Sequence, residues 1–250
     1  MKTSNGMKIS LVIPAYNEEK YIGECLKSAL QAVPSASGKI FEIIVVNNAS
    51  TDNTESVVKT FTDNYPDLKI VNEPRKGLTK ARQRGFWEAK GDIIAYNDAD
   101  TKMPAGWTKK VIKYFEEDEK VVCVSGPGIY YDQSFIGKIL VWLYWLLMAY
   151  PSYFLVGYMV FGANFAVKKS ALEKIGGFDE NISFYGEDTD IARRLSKIGK
   201  VKFIPSLYIY ASARRFKGEG MVKTAIKYII NFASEVFIKK PVTGDYKDIR

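Results

Sequence analysis

The chain has no histidine. That absence removes the usual general base near neutral pH, a common zinc ligand, and every Ser-His or Cys-His nucleophile device. Acid–base chemistry therefore falls to carboxylates, lysine, tyrosine or cysteine. Cysteine is scarce as well. Cys25 and Cys123 stand alone and far apart, without metal or redox spacing, so a reducing compartment is expected. The opening residues, Met1 to Gly6, lack the apolar core of a secretory signal. Internal repeats and low-complexity linkers are missing too. Charge is missing from one long stretch: the 29 residues from Ile139 to Val167 carry none.

What is present suits a folded α/β chain. Its 250 residues, 47% of them apolar, are enough for one large domain with a full core. The formal net charge of +8 would attract nucleic acid, anionic lipid or phosphorylated small molecules. No nucleic-acid motif accompanies that charge, so nucleic acid is not expected as a partner.

The first half alternates short apolar runs with helical spacing. Strands are expected at Ile9–Ile13 (ended by Pro14), Ile43–Val46, Leu68–Val71 and Asp92–Tyr96. Between them, helices are expected over Glu18–Gln31, after a Ser50-Thr51-Asp52 cap, and over Thr79–Ala89. That order predicts a mainly parallel sheet with helices on both faces and right-handed crossovers. Further on, Trp107–Glu117, Lys169–Ile175 and Glu187–Ile198 read as helices, and Val121–Ser125 and Val201–Ile204 as strands. The stretch Met221–Phe237 has the spacing of an amphipathic helix.

Chemistry concentrates at the ends of the apolar runs. Asp98 and Asp100 follow the fourth strand, where open α/β sheets bind ligands. Two carboxylates one residue apart suit a hard divalent cation, Mg²⁺ or Mn²⁺, which completes its shell with water and substrate phosphates. Pro14-Ala15-Tyr16-Asn17-Glu18 ends the first strand, and Asn47 to Asp52 ends the second. Gly77 to Gly85 opens the helix before the fourth, and Gly186-Glu187-Asp188 opens a helix far downstream.

In these segments the chain resembles the family 2 glycosyltransferases of the GT-A fold, inverting enzymes that use nucleotide sugars. The resemblance covers about Ile9 to Arg215, with the motifs in the family's order. The family's Pro-Ala-Tyr-Asn-Glu matches Pro14 to Glu18 and implies a nucleotide pocket lined by Pro14, Ala15, Tyr16 and Glu18. Its Asp-Asp-Gly-Ser-Thr-Asp matches Asn47 to Asp52, its Gly-X-X-X-Ala-Arg-Asn-X-Gly matches Gly77 to Gly85 with Gln83 for Asn, and its Asp-X-Asp matches Asp98 to Asp100. Its Glu-Asp pair matches Glu187-Asp188.

The resemblance implies a GT-A (Rossmann-like) mixed, mainly parallel sheet flanked by helices, over residues 1–217. A nucleotide-binding half would span about 7–128 and an acceptor half about 129–217, with an amphipathic tail over 218–250. It implies that Asp188 is the general base, that Asp100 and Asp98 hold the metal, and that Asp98 also lies near the ribose. Tyr16 can pack on a base or ribose, and Arg82 offers a planar fork to base or phosphate. Asn164 is expected at the sugar or bonded to buried backbone, and Glu187 at the acceptor or as a first-turn acid of its helix. Asn48 stands where relatives often have the Asp that accepts from uracil, so UDP, GDP and other nucleotides stay open. Arg214 and Arg215 stand where relatives have other motifs and are expected to meet the diphosphate. Without the polymerase-type motif, single additions are favoured over processive synthesis.

Two competing readings are a sugar nucleotidyltransferase and a non-catalytic membrane-bound subunit. The first would need a Gly-rich basic loop in place of Pro14 to Glu18, and the second sits poorly with the retained Asp98, Asp100 and Asp188. The uncharged run is long enough for one membrane span, but a crossing would separate Asp100 from Asp188. It is therefore expected to be domain core or an interfacial hairpin turning near Pro151. Trp142, Tyr144, Trp145, Tyr150 and Tyr153 suit a membrane interface and equally an aromatic acceptor groove, and Lys223, Lys227, Lys239 and Lys240 beside an apolar face suit an anionic lipid surface or ordinary packing on the domain. The expected location is the cytoplasm, with peripheral contact on the cytoplasmic face of a membrane. The expected partners are a nucleoside-diphosphate sugar and a glycan or lipid-linked acceptor of cell-envelope polysaccharide synthesis.

Overall fold

A computed structural model describes residues 6–32, 41–182 and 186–238. Lys239 and Lys240 lie outside them. Seven strands form the main sheet. They are β1 (Ile9–Ala15), β2 (Phe41–Asn47), β3 (Leu68–Asn72), β4 (Ile93–Asn97), β6 (Val121–Ser125), β8 (Asn164–Lys168) and β9 (Lys200–Phe203), in the order β3-β2-β1-β4-β8-β6-β9. β1 to β4 are parallel, as their order along the chain predicted. β8 runs antiparallel to β4 and β6. A second, small sheet joins β5 (Thr101–Lys102), β10 (Ile209–Ala211) and β7 (Gly128–Tyr130).

Successive residues of β1 alternate between two cores. Leu11 and Ile13 pack with α1 (Ile22–Ala32), α2 (Thr54–Thr62) and α4 (Trp107–Glu117) on one face. Val12 packs with α3 (Leu78–Glu88), α7 (Lys169–Ile175) and α8 (Glu187–Ser196) on the other. With helices on both faces every β1 residue is buried, which is why the run is apolar without alternation. The strand also continues through Pro14 to Ala15 instead of ending at Pro14. Pairing with β4 has already stopped at Val12, so one side of the strand has no ladder there for the proline to break.

Two further expectations needed correction. β8 lies hidden in the uncharged run, whose continuous apolarity gives no boundary to read. Nor does the chain turn back near Pro151. α5 (Phe135–Tyr144), a π-helical turn (Trp145–Ala149) and α6 (Tyr150–Val156) form one continuous helix of 22 residues. Proline removes one helix hydrogen bond and crowds the carbonyl four residues back. The wide π turn directly before Pro151 makes room for that ring, so the helix passes through. The helix rests on the domain through Ala149, Trp145, Tyr150 and Tyr153, which meet Met159 and Phe203. Its other side is exposed. α9 (Arg214–Glu219) and α10 (Met221–Phe237) close the described chain, and Phe232 of α10 joins the same aromatic cluster.

Candidate active site

Because β1, β2 and β4 are parallel, their carboxyl ends share one edge, and the segments ending in Glu18, Asp52 and Asp100 meet there. Antiparallel β8 begins at that same edge, with Asn164 opposite Asn97. It thereby delivers Phe161-Gly162-Ala163 next to Asp98. The start of α8 then packs against Gly162, whose N–H donates to Asp188 Oδ2 at 3.3 Å. A cavity of about 700 Å³ opens over this edge. It is lined by Pro14, Ala15, Tyr16, Glu18, Asn48, Asp98, Asp100, Glu187, Asp188, Arg214 and Arg215 among others.

Arg82 holds the centre. Its side chain is 1% exposed. The guanidinium donates to the Gly162 carbonyl at 2.8 Å, to Asp98 Oδ1 at 3.3 Å and to Glu187 Oε1 at 3.3 Å. It touches the cavity wall, yet its fork is turned onto the protein, where a fork toward base or phosphate was expected. The result ties the Asp98 loop, the start of β8 and the start of α8 into one unit.

Burial, then the charge of Asp188, pushes the Glu187 carboxyl up to about 7, against the downward pull of Arg82. Burial likewise raises Asp188, opposed by Arg82 and by the backbone N–H groups of Thr189 and Gly162. Nearby, burial and the Asp188 charge push the Tyr144 phenol up to about 12, so it stays protonated at neutral pH.

At the other end, Glu18 is 3% exposed and receives both terminal nitrogens of Arg214, at 2.6 and 2.7 Å. Nε of the same arginine lies 2.8 Å from Asp100 Oδ2. Arg215 instead pairs with Glu219 in its own helix, at 3.1 Å. Tyr16 has the Lys76 ammonium 3.9 Å above its ring.

Two asparagines hold backbone in place. Asn48 Nδ2 donates to the carbonyls of Glu73 and Arg75, and its Oδ1 accepts from Gly77 N–H. It pins the loop that forms one rim of the cavity. A carboxylate could not make the two donations. Asn164 is fully buried and does not line the cavity, contrary to the expected sugar contact. Its amide donates to Gly126 and Leu207 carbonyls and accepts from the Trp107 indole, bracketing β6, β8 and α4.

Tyr130 and Phe216 also line the cavity and were missed, while Tyr144, one of the aromatics of the uncharged run, lines it too. Neither Tyr130 nor Phe216 sits in a motif, so neither carries a signal in the sequence. Lys76 had one usable signal, its place beside the Gly77 motif.

The donor set fits a hard divalent ion. Asp98 and Asp100 offer oxygen ligands only, at the wall of the cavity that Asp188 also lines. Among the described residues no group of three or more acidic, His or Cys side chains is arranged around a common point. An ion held there would take most of its shell from water and phosphate oxygens.

Comparison with known proteins agrees with this geometry. The model of glycosyl transferase family 2 matches residues 10–176, and that of an N-terminal domain of galactosyltransferase matches 147–214. A probable glycosyltransferase of Bacillus subtilis, YdaM, is 30% identical over 210 residues, covering 80% of this chain and 49% of its own length. The chain thus spans about half of that relative. Among solved structures, mannosyltransferase PcManGT from Pyrobaculum calidifontis, in complex with GDP-Man and Mn²⁺, superposes with a TM-score of 0.73 at 21% identity, covering 94% of this chain and 65% of that one. Glucosyl-3-phosphoglycerate synthase from Mycobacterium tuberculosis, with Mn²⁺ and UDP, gives 0.64 at 20% identity, covering 92% and 80%. At these identities the superpositions establish the fold.

Proposed function

The chain belongs to glycosyl transferase family 2, and on that premise we propose that it moves a glycosyl group from a nucleoside-diphosphate sugar to an acceptor hydroxyl, with inversion. The observation that carries this reading is the Arg82 strut, which fastens the Asp98 side and the Asp188 side of one cavity together. A donor-binding end and a basic carboxylate then face the same space. In this reading residues 7–128 bind the donor, 129–217 supply the base and acceptor wall, and the described part of the tail, α10, adds a further wall through Ala225, Ile229 and Phe232.

Tyr16, Pro14 and Ala15 bind the nucleoside, and Asn48 shapes its pocket through the 73–77 loop. Asp100, with Asp98, would hold Mg²⁺ or Mn²⁺, which as a Lewis acid offsets charge on the departing diphosphate. Arg214 hands part of its charge to that diphosphate. The acceptor oxygen bonds to the anomeric carbon from the face opposite the diphosphate. The carbon–oxygen bond to the diphosphate breaks, and the nucleoside diphosphate leaves with the electron pair. Asp188 takes the acceptor proton, and Glu187 orients the acceptor. The acceptor is a glycan or lipid-linked saccharide of cell-envelope polysaccharide synthesis, reached by peripheral contact with the cytoplasmic face of a membrane.

Calorimetry with a panel of nucleoside diphosphates tests this. One nucleotide binds, Mn²⁺ tightens it, and Asp100→Ala removes the metal effect. Asp188→Ala lowers transfer by about 10²–10⁴-fold with nucleotide affinity nearly intact. Nucleotide affinity that collapses in Asp188→Ala would make this residue structural, and indifference to metal would remove the role given to Asp100.

A further inference from the structure

The cavity has a second end that the donor does not use. Beyond Asp188 its wall is built by Val141, Met148 and Ala149 of the long helix and by Ala225, Ile229 and Phe232 of α10. Apolar surface predominates on this wall, beside the polar groups of Tyr144, Ser152, Tyr228 and Asn231, so it favours an alkyl chain over the hydroxyls of a free sugar. The same two helices present apolar side chains outward. Phe135, Ile136, Leu147, Phe154 and Leu155 are each more than 60% exposed on the long helix, and Ile226 and Ile230 are exposed on α10.

Solvent-facing apolar surface of this extent marks a docking face. On the long helix and its flanks the charge has one sign. No Asp or Glu occurs between Gln133 and Leu172, whereas Lys138 and Lys223 are exposed at the ends of the two helices. A lipid bilayer with anionic headgroups matches both properties. The helix is long enough to cross a bilayer, but Ala149 at its middle is buried against the domain, and the Trp145 indole donates to the Gly128 carbonyl at 3.2 Å. It therefore lies along the domain surface, in the plane of the interface.

Resting on the glycosyltransferase reading, the geometry points to an amphiphilic acceptor drawn from an anionic leaflet. Its hydrocarbon tail lies between the long helix and α10, and its hydroxylated head reaches Asp188. The two helices are at once the membrane-facing surface and the acceptor channel.

Flotation of the full chain with phosphatidylglycerol-containing vesicles, against pure phosphatidylcholine vesicles, tests the surface. Binding to the anionic vesicles is expected, with loss of at least about tenfold in the double variant Leu147→Glu/Phe154→Glu, whose changed residues do not line the cavity. Far-ultraviolet circular dichroism and nucleotide binding check that the variant is folded. For the channel, a bromine-labelled alkyl glucoside is expected to quench the Trp145 share of the emission in a Trp87→Phe/Trp142→Phe background, where the other indole, Trp107, is buried and stays bright, while free glucose quenches neither. Ala225→Phe narrows the channel and should abolish the quenching.

Absence of flotation, flotation indifferent to the double variant, or a concentration-dependent dimer lost in that variant would overturn the proposal, the last by assigning the face to a second copy. Quenching equally strong in Ala225→Phe would remove the channel. Wild-type binding of a nucleoside diphosphate with Mn²⁺ is read in parallel. If it holds while flotation fails, only the lipid proposal falls; if it fails, the enzyme reading falls first.

Discussion

At the scale of single residues, the site works by side chains restraining one another. Glu187 and Asp188 are adjacent, buried and both raised. The folded value of Glu187, about 7, lies above its free value of 4.5. An unfolded chain therefore releases this proton first, and the fold loses stability as pH rises from about 4.5 to about 7. Glu187→Gln removes that dependence. Thermal melts across this range are expected to show a smaller pH-dependent loss in the variant, by an amount on the order of 1–3 kcal/mol. Asp188 is raised by burial and not by a charge on Glu187, which is protonated in the acid range, so the acid limb of the pH–rate profile should hold its place in the variant. A limb moved to lower pH would mean that a Glu187 charge also raises Asp188.

Ala49 illustrates another restraint. Its φ is +59°, in the left-handed region, where the resembled family motif carries glycine. Ala49 is exposed, so no packing is lost by its replacement. Ala49→Gly is expected to stabilise by about 0.5–1 kcal/mol in urea unfolding, after allowing for the greater freedom of glycine in the unfolded chain. Here the sequence was informative only once the backbone was known. The glycine-for-alanine difference is a statement about φ, and composition alone does not carry it.

Among elements, legibility followed periodicity. β1 to β4 and α1 to α3 stood out because buried strands and amphipathic helices repeat with different periods and turn residues punctuate them. The helical period also placed Asp188 at the start of α8. β8 and the uninterrupted passage through Pro151 were not legible, since both sit in a run where every residue is apolar or neutral. The short strands β5, β7 and β10 have two or three residues each, below any pattern. Asn164 stayed open between two roles for a related reason, because an amide that brackets buried carbonyls is indistinguishable in sequence from one that faces a ligand. One contact between elements is predictable from motif and structure together. A Cβ on Gly85 of α3 would lie 2.2 Å from Val12 Cγ1 of β1. Val12 is fully buried and cannot retreat. Gly85→Ala should cost about 1–3 kcal/mol, seen as a lower urea midpoint at unchanged slope. An unshifted midpoint would show that α3 can lift from the sheet.

For the whole molecule, charge and ligand are linked. Arg214 already neutralises Glu18 and Asp100, so a lone divalent ion must compete with a guanidinium for Asp100. Mn²⁺ alone is expected to raise the melting temperature little. Mn²⁺ with the matching nucleoside diphosphate, which gives Arg214 a new anion, should raise it clearly; at a hundred times the dissociation constant the gain is about 2.7 kcal/mol. Equal shifts with and without nucleotide would argue against this competition. The family, the parallel half of the sheet and the main carboxylates could be read from the sequence. The partnership of Arg214 with Glu18 could not, because it joins residues 196 positions apart with no repeating pattern.

The antiparallel strand β8 has one more effect. It lies between β4 and β6, so the chain leaves the sheet after β6 and returns beside it. Everything from β7 through the long helix is an excursion anchored at both ends on neighbouring strands. Such an excursion can be lengthened, shortened or exchanged while β1 to β4 keep their register. On the function proposed above, trading this one segment would change the acceptor and leave the donor site as it is.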